Sequence, residues 1–156
     1  MTSGVAHEPA SAAQPPAVTE FFEQDDWVVE VDEAGVATFA VRGAAGEWYG
    51  QVWWLAATEQ LLVYSILPFP VPEQRRDDVA LLMGRINAQL ALASFEIDLA
   101  DGEARCRTGV AVGLDDLRPD LVRRAVHANV HAVDRYLPAV VRTVAGSDPR
   151  TSALVV

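Results

Sequence analysis

The fold of this chain is decided by residues 47–72, which read EWYGQVWWLAATEQLLVYSILPFPVP. Two stretches, 47–56 and 61–67, are rich in aromatic and β-branched residues, and a short polar segment joins them, so they predict two antiparallel strands. Three alternate prolines stand in the last five residues. Because proline lacks a backbone donor and biases its predecessor toward extended geometry, they predict a stiff connector.

Both faces of these two strands are apolar. A strand with one face in water normally alternates apolar and polar residues, whereas here large apolar side chains point both ways. We therefore expect one face to pack on the core and the other to be covered by a helix, a second subunit or a bound peptide. The residues assigned to this second surface, as the candidate partner or dimer surface, are Tyr49, Trp53, Leu62, Tyr64 and Ile66.

Two shorter strands are predicted upstream, at residues 27–31 and 37–41. A three-residue turn with Gly35 at positive φ would pair Val29 with Phe39 and bring the apolar residues of both strands to one face. A short helix over about residues 18–26 would precede them.

Two helices are predicted downstream, at residues 73–93 and 119–144, because apolar residues recur there at intervals of three and four. Pro138 should kink the second helix or end it early. Asn87 stands at the border of the apolar stripe of the first helix. A half-buried amide must find partners, so we expect Asn87 to clamp the backbone of the neighbouring hairpin.

That hairpin is predicted from Asp101-Gly102, a pair typical of a two-residue type I′ turn. Gly102 is therefore assigned a structural role, and the turn would pair Ile97 with Cys106. Together the elements predict an α+β fold, an antiparallel meander sheet plus a hairpin packed against helices. We expect a single domain over residues 18–146 between flexible tails, at residues 1–17 and 147–156.

The charge is strongly negative, formally -10 over 156 residues. Residues 1–72 carry ten acidic residues against Arg42 alone, and residues 73–156 carry twelve against eleven arginines. Such a field disfavours direct binding of nucleic acid and favours a basic or amphipathic protein partner. No basic segment precedes an apolar run, and no apolar run reaches the about 20 residues of a membrane span. We expect a cytoplasmic protein that does not enter membranes.

No motif predicts catalysis, and we expect no cofactor. The single cysteine, Cys106, is expected to be a small core residue. His127 and His131 have the spacing of a helical metal pair, but arginines surround them, so no metal is expected. The alternative interpretation of this helix face is a basic stripe that binds an acidic small ligand or nucleic acid; its members are Arg124, His127, His131 and Arg135.

Several segments, taken in order, resemble the YbjN-domain family. They begin with Gly46-Glu47-Trp48 and residues 62–72, continue with Asn87 and residues 95–105, and end with residues 134–139, so that the likeness covers about residues 18–145. Where many members have a glycine before the Phe-Glu pair, this chain has Ser94.

The resemblance implies a fold similar to the class I type III secretion chaperones. Members are described as regulators of sensory transduction, and the chaperone-like fold implies small acidic homodimers that hold partner proteins. The family has no catalytic motif. We therefore expect a non-enzymatic protein-binding module, either a chaperone-like protein or a regulatory adaptor.

Overall fold

The computed structural model describes residues 12–152 and shows an α+β fold built on one six-stranded antiparallel sheet. Two short 3₁₀ turns, Glu73–Arg75 and Leu114–Asp116, precede the second and third helices. The helices are α1 Pro16–Gln24, α2 Arg76–Asn87, α3 Pro119–Val144 and α4 Pro149–Ser152. The strands are β1 Val29–Val31, β2 Ala37–Arg42, β3 Glu47–Leu55, β4 Gln60–Ile66, β5 Ala93–Ile97 and β6 Ala104–Ala111.

The strand order is β1-β2-β3-β4-β6-β5, and each neighbouring pair is antiparallel. The first four strands form the predicted meander. Val29 lies opposite Phe39, and Gly35 has φ +80°, so the predicted register and turn residue are confirmed. The ladder starts at Val29 rather than at Trp27.

The register predicted for the β5-β6 hairpin is wrong by two residues. Cys106 lies opposite Phe95, and Ile97 lies opposite Ala104. The Asp98 N–H donates to the Glu103 carbonyl at 2.8 Å, which closes a four-residue loop instead of a two-residue turn. Side chains alternate between the two faces of a sheet with a period of two residues. A register shift of two residues therefore leaves every side chain of the hairpin on its predicted face.

Contacts from outside the hairpin stabilise this longer loop. The Val71 N–H donates to the Gly102 carbonyl at 2.8 Å, and the Arg76 guanidinium donates to the carbonyls of Leu99 and Ala100 at 3.1 and 2.8 Å. A Cβ built on Gly102 would lie 2.2 Å from the Val71 carbonyl oxygen. The connector therefore packs on the loop, a contact that a turn rule based on neighbouring residues cannot include.

The hydrophobic core lies between one face of the sheet and the helices. Phe21 and Phe22 of α1 and Val126 of α3 are fully buried within it. Asn129 of α3 donates to the carbonyls of Val63 and Cys106, both at 3.0 Å, and so joins the helix to two central strands. Five large residues of β3 and β4 lie on this inner face and are at most 3% exposed, as predicted: Trp48, Val52, Trp54, Leu61 and Val63.

The bounds of two helices differ from prediction, and those of the last agree. α1 spans Pro16–Gln24 instead of about residues 18–26. The first long helix ends at Asn87 instead of residue 93, because β5 already begins at Ala93. The last has the predicted bounds and continues through Pro138, so an early end there is wrong. Pro138 is on the exposed side of α3, where its ring points away from the packed face.

Parts of both predicted tails lie among the described residues. The Ala12 N–H donates to the Trp54 carbonyl at 2.8 Å, and the Gln14 side chain donates to the carbonyls of Gly35 and Val52. At the other end, α4 packs against α2 and α3. The remaining tail residues, 1–11 and 153–156, lie outside the described residues.

Candidate functional site

One face of the sheet carries no helix within residues 12–152, because α1 to α4 pack on the opposite side or on one another. We call it the uncovered face. Its apolar centre lies on β3 and β4, where cross-strand register places Tyr49 beside Ile66 and Trp53 beside Leu62. The structure thus brings together the whole predicted partner surface: Tyr49, Trp53, Leu62, Tyr64 and Ile66.

The five apolar side chains differ in their exposure. Tyr49 is 65% exposed, and Trp53, Leu62 and Ile66 are partly exposed. Tyr64 is only 5% exposed although it points to the same side. The Trp53 ring meets it edge-on, with the ring centroids 6.5 Å apart, so the aromatic side chains cover one another.

A charged border flanks this apolar centre on β5 and β6. The Arg105 guanidinium stacks over the Tyr64 ring at 4.5 Å from its centroid, a cation-π contact. Glu96 lies 3.4 Å from Arg105 and 3.5 Å from Arg107. The uncovered face therefore has two different sides. A bound segment would meet apolar groups over β3 and β4 and charged groups over β6.

A groove with a volume of about 970 Å³ continues the uncovered face at the end where the connector crosses it. Tyr49 and Ile66 line both the face and the groove, and Phe69 with its two flanking prolines forms the wall on the connector side. No sequence pattern predicted this groove, because the connector and the hairpin loop meet only in three dimensions. Its charged rim consists of Arg42, Glu47, Asp101 and Glu103.

The residues of the predicted basic stripe lie on α3, which packs on the other side of the sheet. Arg124, His131 and Arg135 are exposed there. The His127 ring instead stacks on Trp27, with centroids 6.2 Å apart and an interplanar angle of 22°. The stripe and the uncovered face are therefore two separate surfaces. In the stripe, His127 keeps 44% of its side chain exposed although its ring stacks on Trp27.

An ion pair joins α3 to Asp25, the residue that directly follows α1. Arg123 Nη2 lies 2.8 Å from Asp25 Oδ1, and hydrogen bonding to this guanidinium lowers the pKa of Asp25 below its ordinary value of 3.8. His127 Nε2 lies 3.8 Å from the same carboxylate. The pair fixes the position of α1 against α3.

The remaining candidate groups are held inside the fold. Asn87 bonds the backbone of Phe95 in both directions, and Gly102 has φ +83° at the hairpin loop. Burial raises the pKa of the Cys106 thiol to about 12, so it is protonated at neutral pH.

Among residues 12–152, no group of three His, Cys, Asp or Glu side chains could hold a metal ion. In the same range, no helix has the length and apolar character needed to cross a membrane.

Comparison with known proteins gives a family match and similar folds. The family model YbjN, described as "Putative bacterial sensory transduction regulator", matches residues 15–142. The crystal structure of YbjN from E. coli aligns with a TM-score of 0.55 and 10% identity, over 77% of this chain and 88% of that one. No curated protein matches the sequence significantly.

Two solved complexes also contain a similar fold. A chain of the HopA1-SchA chaperone-effector complex aligns with a TM-score of 0.50 and 14% identity, over 76% of this chain and 88% of that one. A chain of the ExsC-ExsE complex aligns with a TM-score of 0.50 and 16% identity, over 76% of this chain and 89% of that one. The predicted likeness in fold to secretion chaperones is thereby confirmed.

Proposed function

This chain belongs to the YbjN family, and on that premise we propose that it is a non-enzymatic protein-binding module that holds a segment of a partner protein. The segment lies on the uncovered face, over Tyr49, Trp53 and Leu62. The module acts as a chaperone-like protein or a regulatory adaptor, and its surface supplies binding without a chemical step.

The apolar character of the uncovered face is the observation that carries this proposal. The helices occupy the other side of the sheet, yet aromatic and aliphatic side chains extend over two adjacent strands on this side. Contiguous apolar surface on a soluble domain marks an interaction site more often than scattered apolar residues do. Aromatic side chains are also enriched where proteins bind one another.

Two similar structures support a protein partner. One was solved as a chaperone-effector complex and the other as the ExsC-ExsE complex. Their likeness to this chain is one of fold, so the partner itself is our proposal. We also propose that the chain forms a homodimer, as the family resemblance implies. Sedimentation equilibrium should give twice the chain mass at micromolar concentration, and a strict monomer at high concentration would contradict the dimer.

The binding proposal is tested with an array of immobilised extended peptides probed with the full chain. The face variant is Y49T/W53T, because threonine keeps strand propensity while it removes the aromatic surface. The matched control is L81Q/V141Q, which changes two exposed apolar residues of the helices, 42% and 46% exposed, to good helix formers. We expect the face variant to lose most peptide signals and the control to keep them. Equal signals from both variants would refute the proposal.

A further inference from the structure

We propose that the groove beside the connector binds a basic side chain, lysine or arginine, of the partner segment, next to an apolar side chain seated on the uncovered face. This inference rests on the proposed function, because it states the chemistry of the partner at that same surface. The evidence is the shape of the groove, its rigidity and the sign of its charge.

The groove and the face are continuous. The exposed ring of Tyr49 and the side chain of Ile66 lie side by side in the sheet and line both. A segment bound over the apolar centre can therefore extend into the groove. Phe69 lines the groove as well, so it and Tyr49 both supply aromatic groups to the bound side chain.

The connector wall is held in place before any partner binds. The Leu67 N–H donates to the Ala104 carbonyl at 2.9 Å, and the Val71 N–H donates to the Gly102 carbonyl at 2.8 Å. The two prolines between these anchors restrict the backbone further. Because the wall is already ordered, binding loses little conformational entropy there.

The charge of the rim selects a basic occupant. Glu47, Asp101 and Glu103 line the groove against one guanidinium, that of Arg42, which bonds Glu47 at 2.6 Å. Aromatic rings attract cations as well. Arg105, which is not among the lining residues, stacks on Tyr64 and pairs with Glu96. A second copy of this chain is a poorer occupant than a basic segment, because each copy carries a net charge of -10.

The test uses the full chain and three synthetic peptides of equal length that alternate phenylalanine with lysine, glutamine or glutamate. Calorimetry should show that the lysine peptide binds about tenfold or more tightly than the glutamine peptide, a difference of about 1.4 kcal/mol. The glutamate peptide should bind most weakly. Added salt should reduce the preference for lysine, because salt screens exposed charges.

Variants locate the effect at the groove. E47Q/E103Q should lose about tenfold of its affinity for the lysine peptide and keep its affinity for the glutamine peptide. The matched control E20Q/E33Q removes the same charge at two exposed sites outside the groove and should leave both affinities unchanged. Asp101 is not substituted, because its carboxylate accepts a hydrogen bond from the Glu103 N–H at 2.8 Å. The reversal E47R/E103R should make the glutamate peptide the preferred one.

Three outcomes would overturn the inference. If wild-type protein binds the lysine and glutamine peptides equally, the groove does not select charge, whereas the proposed function stands. If E20Q/E33Q loses as much affinity as E47Q/E103Q, net charge and not the groove attracts the peptide. If none of the peptides binds and the array also gives no signal, both the inference and the proposed function are refuted.

Discussion

Asn87 and Phe95 exchange two hydrogen bonds: the Asn87 Nδ2 donates to the Phe95 carbonyl at 2.9 Å, and the Phe95 N–H donates to Asn87 Oδ1 at 2.7 Å. β5 is an outer strand of the sheet. The Asp98 N–H bonds the Glu103 carbonyl, so the backbone groups of Asp98 point toward β6. Residues along a strand alternately point their backbone groups toward and away from the neighbouring strand. Phe95, three residues before Asp98, therefore points its N–H and C=O away from β6. The amide of Asn87 therefore occupies the place of a further strand and closes this edge at its centre.

Replacement of Asn87 by alanine should lower the free energy of unfolding by about 1–3 kcal/mol, because both backbone groups of Phe95 lose their partner. It should also make the protein more prone to aggregate through the opened edge. Urea denaturation and light scattering check the two effects. Gln89→Ala is the control, since the exposed Gln89 side chain lies two residues past the end of α2 and donates to the Arg85 carbonyl. An Asn87→Ala protein as stable as this control would contradict the assignment.

Two glycine-to-alanine variants should change stability in opposite directions. Gly102→Ala should be strongly destabilising, because Gly102 has φ +83° and an added Cβ would lie 2.2 Å from the Val71 carbonyl oxygen. Gly84→Ala in α2 should stabilise the fold by up to about 1 kcal/mol, since alanine is the better helix former and nothing lies within 4 Å of the added carbon. Thermal unfolding of both variants checks the contrast. A stable Gly102→Ala protein would show that the connector and loop do not pack as described.

Asp25→Asn should remove part of the pH dependence of stability in acid. Because the hydrogen bonds from Arg123 lower the pKa of Asp25 below 3.8, the ionised carboxylate stabilises the native state above about that pH. This contribution is lost as the pH falls through the lowered native pKa. Urea midpoints should therefore separate wild type from the variant at pH 6 and converge once the pH falls below the lowered native pKa of Asp25. Glu23→Gln on the exposed side of α1 is the control, and a constant separation at all pH values would exclude the ion pair as the cause.

Substitution of Arg124 and Arg135 by glutamine should leave peptide binding unchanged, because the basic stripe and the uncovered face lie on different sides of the sheet. Fluorescence anisotropy with labelled single-stranded DNA tests the alternative hypothesis directly. We expect weak binding at physiological salt that is the same in both proteins, as the net charge of -10 predicts. Tight wild-type binding that the double substitution abolishes, together with its salt dependence, would favour the alternative.

Local patterns predicted most of the elements. The apolar period of α3 predicted its bounds, Pro119–Val144, and the turn at Gly35 predicted the pairing of Val29 with Phe39. The β5-β6 register could not be predicted in this way. The Asp101-Gly102 pair is compatible with a two-residue turn. The longer loop is stabilised by local bonds, such as that from the Ala100 N–H to Asp98 Oδ1 at 2.8 Å, and by the contacts from Val71 and Arg76.

The same limit applies to the candidate site. Alternation along β3 and β4 placed Tyr49, Trp53 and Leu62 on one surface, because side chains in a strand alternate regardless of the neighbours. The groove was not predictable, because its walls come from residues separated by more than thirty positions, such as Phe69 and Glu103.

By itself, the sequence determined that this protein has an antiparallel sheet with two apolar faces, a long amphipathic closing helix and a strongly acidic surface. These properties depend on side-chain chemistry and on a period of two or about 3.6 residues. The tertiary structure alone decided which apolar face the helices cover, where the connector meets the hairpin loop, and which acidic groups surround the groove. Those outcomes depend on packing between distant segments, which no local period encodes.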